Sequence, residues 1–190
     1  MEALLSIAIG LGLAAACGFR IFVPLLLISI AHKTGHLALA DGFEWMGSTP
    51  AVVTFASATL LEILAYYVPF LDNLLDTLAA PSAVVAGVIA TASQVGYMDP
   101  WLSWSVAIIG GGGAAGAVQG LTTITRQISS LATAGFGNPL VSTLEAGASI
   151  FFTFLAIIFP FAAVFLLLVG LGYGAKKLIF RSKGNEIVAA

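Results

Sequence analysis

Apolar residues run almost unbroken along this chain, and polar clusters cut the run into six segments: 3–31, 50–68, 81–96, 103–125, 139–158 and 160–176. The cuts are His32 to Thr49, Phe70 to Ala80 between Pro69 and Pro81, Gly96 to Trp101, Arg126 to Asn138, and Pro160. A helix that crosses a bilayer needs about 20 predominantly apolar residues, so the pattern predicts an all-α, polytopic membrane protein with about six transmembrane helices. The first segment is long enough to tilt or break. It opens Met1-Glu2 rather than on the basic stretch of a signal peptide, so it reads as a mature helix.

Composition narrows the class. Hydrophobic residues make up 59% of the 190, and charged residues only 8%, against about 25% charged in an ordinary soluble domain. That excludes a cytoplasmic globule, a nucleic-acid binder and a disordered chain. A single cysteine excludes an internal disulfide and a thiolate-built metal cluster. The whole of 1–190 reads as one membrane domain, with membrane lipid as its constant neighbour and a basic tail at 177–190.

The seven Lys and Arg residues set an orientation. Six spans put both termini on one side. If that side is the cytoplasm, Arg126, Lys176, Lys177, Arg181 and Lys183 lie inside and Lys33 alone lies outside, with Arg20 in the membrane. This satisfies the positive-inside rule and brings Trp45, Trp101 and Trp104 to the outer interface. The expectation is a bacterial inner-membrane protein with both termini cytoplasmic.

Small residues recur every fourth position at Gly10, Ala14 and Gly18, and again at Gly112, Gly116 and Gly120. Such a stripe lets another helix backbone approach closely. Ala58-Thr59-Leu60-Leu61-Glu62 resembles Val141-Ser142-Thr143-Leu144-Glu145, and Pro81-Ser82-Ala83-Val84-Val85 resembles Pro160-Phe161-Ala162-Ala163-Val164. The three matches come in the same order. They predict two three-helix repeats, about 3–96 and 103–176, and an odd-numbered unit repeats in inverted orientation, as in many transporters.

Ionisable groups inside apolar helices are expensive and mark function or structural pairing. Arg20 stands between Gly18 and Pro24, where the helix is weak and a break would offer free backbone groups. Glu62 and Glu145 each lie inside an apolar helix and are the expected partners of Arg20. Asp72 and Asp76 are one helical turn apart and suit a polar vestibule. Asn138-Pro139 suits the cap and first turn of a helix. Gln119, Thr122, Thr123 and Thr125 form a polar helix end fit to line a watery path. Gly110 to Gly113 lacks the Lys-Ser/Thr of a nucleotide loop and reads as a packing or bending site. No cofactor and no metal site is implied, and no nucleophile or metal-ligand set points to an enzyme.

The order Gly18-Phe19-Arg20-Ile21-Phe22-Val23-Pro24, then Glu62-x3-Tyr66-x2-Pro69-x2-Asp72-x3-Asp76-x4-Pro81, then Asn138-Pro139 and Glu145, resembles a family of small bacterial membrane proteins, domain of unknown function 4126. The resemblance covers nearly the whole chain. It implies a helical membrane protein and carries no reaction or substrate.

Taken together, these features predict a small transporter or channel for a solute or ion. Its polar centre would be Arg20, Glu62 and Glu145, with Asp72 and Asp76 near the cytoplasmic mouth. So few short helices barely enclose a pathway, which favours a homodimer. The alternative is a structural or assembly subunit that packs against another membrane complex.

Overall fold

The computed structural model describes residues 1–67, 71–133 and 136–189, with side chains for 1–67, 77–133 and 136–177. The described residues contain helices and no strand: α1 (Glu2–Phe19), α2 (Phe22–Lys33), α3 (Thr49–Ala65), α4 (Leu71–Ala92), α5 (Pro100–Ser105), α6 (Gly113–Thr133), α7 (Asn138–Ile158) and α8 (Pro160–Ala189). A π-helical stretch, Val106–Gly112, joins α5 to α6, so Pro100–Thr133 forms one rod. Four segments are long and apolar enough to cross a membrane: Glu2–Phe19, Pro100–Thr133, Asn138–Ile158 and Pro160–Lys177. Phe22–Lys33, Thr49–Ala65 and Thr77–Ala92 are shorter apolar helices.

The helix starts follow local chemistry. Ser48 caps α3 by accepting from the Ala51 amide at 3.3 Å. Prolines open α5, α7 and α8, where the amide they lack would have had no partner inside the helix. The polar interruption expected over Phe70 to Ala80 is, from Leu71 on, the first half of α4, which continues through Pro81. An internal proline removes one helical hydrogen bond, and neighbouring helices can make that loss tolerable. Arg126 to Asn138, read as a loop, is helical as far as Thr133.

Contacts along α1 fix the direction of each element. Gly10 abuts Thr91 and Ala14 abuts Gly87, so α4 runs opposite to α1. Gly18 abuts Ala115 and Val118, while Gly110 abuts Leu11, so the rod runs parallel to α1. Ser142 bonds Arg20, Ser149 donates to the Ala16 carbonyl and Ala156 abuts Gly12, so α7 is antiparallel to α1. Ala163 also meets Gly12, whereas Gly174 meets Leu121, so α8 is parallel to α1.

The first apolar segment is a hairpin, not one span. Past the end of α2, the Ala40 amide bonds the Ser93 carbonyl at 2.8 Å, just beyond Thr91 and therefore level with the first half of α1. Thus α2 returns toward the end from which α1 started. One extended residue, Arg20 (φ −146°, ψ 135°), forms the apex. This reversal sets the chain's two ends apart. Met1 lies at the end of the bundle that carries Trp45, Trp101 and Trp104, while α8 carries Lys176 and Lys177 toward the other, the basic-tail end. The expectation of both termini on one face rests on six spans, whereas four segments among the described residues have the length and composition to span.

Two further expectations meet geometry. Gly10, Ala14 and Gly18 all serve close packing, but of Gly112, Gly116 and Gly120 only the first two have neighbours within contact range, from α4. Glu62 and Glu145 both sit near the basic-tail end, in helices of opposite direction. A two-fold axis in the membrane plane would carry one of them to the far end, so they are not equivalent positions of an inverted repeat.

The tightest crossing pairs α4 with the rod. A Cβ on Gly87 would lie 2.5 Å from the Ala115 Cβ and 2.8 Å from the Gly111 carbonyl oxygen. Gly87→Leu should therefore destabilise the protein by about 1–3 kcal/mol or more, the usual cost of overpacking. Gly120→Ala meets open space and should be neutral or stabilising by up to about 1 kcal/mol through helix propensity. Thermal unfolding of the two variants in detergent checks the contrast.

Candidate functional site

Four charged side chains converge around the hairpin apex. Arg20, Arg126, Glu62 and Glu145 are all buried, none more than 8% exposed. Glu145 lies seven residues past Asn138 and Arg126 seven before Thr133, so the cluster sits about 10 Å along each helix from the loop that joins them. Charge at that depth requires partners.

Glu62 supplies the first set of contacts. The break at Arg20 leaves the first amides of α2 without helical acceptors. Its carboxylate accepts from the Ile21 amide at 2.9 Å and the Phe22 amide at 3.0 Å. Glu62 therefore caps α2 and complements the positive end of that helix dipole. It pairs with the apex backbone rather than with the Arg20 guanidinium.

Arg20 reaches the other way. Its Nη2 donates to the Ser142 carbonyl at 2.8 Å and to the Ser142 hydroxyl, and lies 3.5 Å from Glu145 Oε2. Arg126 is the nearer partner of Glu145, through Nη2 to Oε2 and Nε to Oε1 at 3.3 Å. Both guanidinium groups also lie against Tyr66. Arg20 lies 4.0 Å and Arg126 3.9 Å from its ring centroid, so one ring attracts two like charges. Two positive and two negative groups balance overall, yet Arg20 Nε and Nη1 are buried and meet no hydrogen-bond acceptor among the described residues.

Arg20, Glu62 and Glu145 thus come together as the sequence suggests. Asn138 does not join them. It is the first residue of α7 rather than its cap, and its side-chain amide exchanges hydrogen bonds with Ser130 at 2.8 and 3.1 Å. The backbone of Asp72 and Asp76 opens α4, and their side chains lie outside the described residues. Sequence reasoning missed Arg126, Tyr66 and Ser142. Their signals were spacing: Gln119, Thr122 and Arg126 recur at helical intervals, and Tyr66 lies one turn after Glu62.

A cavity of about 390 Å³ adjoins the cluster, lined by α6, α7 and α8 with Phe19 of α1. Glu145 is its charged wall, Thr122 and Thr125 its hydroxyl-bearing one, and the rest is apolar. The path suggested by Gln119, Thr122, Thr123 and Thr125 is thus represented by two of the four. The family model described as "Domain of unknown function (DUF4126)" matches residues 7–177. The chain belongs to this family. No curated protein and no solved structure matches it.

Within this family member, α7 presents a polar stripe to α1. Ser142, Glu145, Ser149 and Thr153 recur every three or four residues and are all buried. Ser149 donates to the Ala16 carbonyl at 3.0 Å, and Thr153 to Ser149 within α7 at 2.8 Å. Hydroxyls on backbone carbonyls satisfy themselves in an apolar medium and tie the small-residue face of α1 to α7.

Proposed function

We propose that the protein is a small transporter or channel of the bacterial inner membrane for a small solute or ion, with the apex cluster on its pathway. One observation carries this reading: a broken helix ends inside the bundle at Arg20, where two buried guanidinium nitrogens lack an acceptor among the described residues. Discontinuous helices at membrane depth are the recurring binding elements of secondary transporters. A guanidinium with unspent donors suits an anion or a polar solute in transit. The test is flux in proteoliposomes with chloride, nitrate, formate, potassium and glycerol. Wild type should speed the movement of at least one of them, and Arg20→Gln should abolish the effect. Rates equal to protein-free liposomes for every solute would refute transport.

In this proposal the basic-tail end faces the cytoplasm and the tryptophan end faces outward. The N-terminus is then external. With Cys17 replaced, cysteines introduced at Gly35 and Ser182 should label from opposite sides of intact cells, and one at Glu2 should label with Gly35. Labelling of Glu2 together with Ser182 would reverse the path of α1. An inverted duplication is no part of the proposal, because Glu62 and Glu145 share one end of the bundle. A homodimer is, and the mass of the detergent-solubilised particle checks it.

The second reading, a structural or assembly subunit, draws on the satisfaction of Glu62, both of whose oxygens hold backbone amides. A structural cluster tolerates apolar replacement of matched size, whereas a transport site loses flux while the fold survives.

A further inference from the structure

The cavity beside Glu145 has a polarity of its own. It extends along α7 from Val141 to Phe152, eleven residues or about 16 Å. Its three polar residues, Thr122, Thr125 and Glu145, all line the half nearer the basic-tail end. The other half is walled by Val118, Phe152 and Leu166 among others. Such a gradient matches an amphiphile lying along the membrane normal with its head toward the basic-tail end. The volume, about 390 Å³, is within the range of about 300–1,000 Å³ that holds small molecules.

The head chemistry follows from donors already spent. The Thr122 hydroxyl donates to the Gln119 carbonyl and the Thr125 hydroxyl to the Leu121 carbonyl, each at 2.9 Å. Glu145 is held by two guanidinium groups and offers only acceptor oxygens. The lining therefore presents acceptors and no spare side-chain donor. A carboxylate or phosphate head would find no hydrogen there and would face the Glu145 charge.

We propose that this cavity binds a single-chain amphiphile whose head donates hydrogen bonds, a long-chain alcohol or amine, with the tail against Phe152. This site stands beside the proposed pathway and does not depend on transport. Its test is photolabelling of the full chain in lipid nanodiscs by decanol bearing a tail-end diazirine. Labelled peptides should map to Phe152 and Leu166, and excess decanol or decylamine should remove the label while decanoate should not. The two competitors separately rank hydroxyl against ammonium. Ala148→Trp fills the cavity from α7. Gly170→Phe fills it from α8, where an added Cβ meets nothing within 4 Å. Each should cut labelling by roughly tenfold, equivalent to about 1.4 kcal/mol. Flux measured on the same samples separates this claim from the transport reading. The proposal is overturned by labelling that both filled variants retain, by label spread over lipid-facing residues such as Phe161 and Phe165, or by decanoate competing as well as decanol.

Discussion

Arg126→Ala is expected to be the most damaging single substitution in the polar centre. It removes both guanidinium contacts to Glu145 and one of the two cations on Tyr66. Breaking one side of a buried pair typically costs about 3–5 kcal/mol, because the remaining charge stays desolvated. Arg20, at 3.5 Å from the same carboxylate, offsets part of that loss. Arg126→Lys should recover little, since an ammonium lacks the planar fork and stacks poorly on a ring. The double change Arg126→Met with Glu145→Met should not restore wild-type stability either, because it leaves Arg20 with Ser142 and Tyr66 alone. Thermal unfolding of the four proteins in one detergent decides the matter. An Arg126→Ala protein melting with wild type would show that the pair contributes nothing.

Glu62→Ala should come next, by a different mechanism. Two part-buried amides, Ile21 and Phe22, lose their acceptors. Each orphaned group costs about 1–3 kcal/mol, so the pair sums to about 2–6. Glu62→Gln keeps one carbonyl oxygen and should lose about half as much. Hydrogen exchange distinguishes this from a general loosening. A peptide covering 17–25 should exchange faster in Glu62→Ala while peptides of α7 stay protected. Unchanged protection at the apex would mean that the cap does not hold the hairpin.

The helices were legible because apolar runs bounded by proline and polar clusters leave little choice in lipid. The break near Arg20 was equally legible, from Gly18, Pro24 and a charge in one short stretch. What escaped was the direction taken after the break. Nothing local to residues 18–24 says whether the chain continues or doubles back. That is settled by distant contacts, such as Ala40 with Ser93, and the end of the bundle at which Met1 lies follows from them. Arg126 escaped for a related reason: a basic residue near a polar stretch looks like a loop until its helical neighbours Thr122 and Gln119 are seen to be buried. Both glutamates were found, and Glu145 does reach Arg20; Glu62 alone was mispaired, because sequence shows a carboxylate's need for a partner and not that freed amides at a helix start can fill it.

The hairpin apex also sets an order of events in biosynthesis. Arg20 emerges 42 residues before Glu62 and 125 before Glu145. At about 5–20 residues per second the longer interval lasts roughly 6–25 s. Glu62 arrives in time to close the amides of α2, but the guanidinium must wait for α6 and α7. The α1–α2 hairpin therefore cannot settle as a finished unit on its own. Its charged tip is stabilised only when α6 and α7 are in the bilayer, so helices from the second half of the chain complete the first.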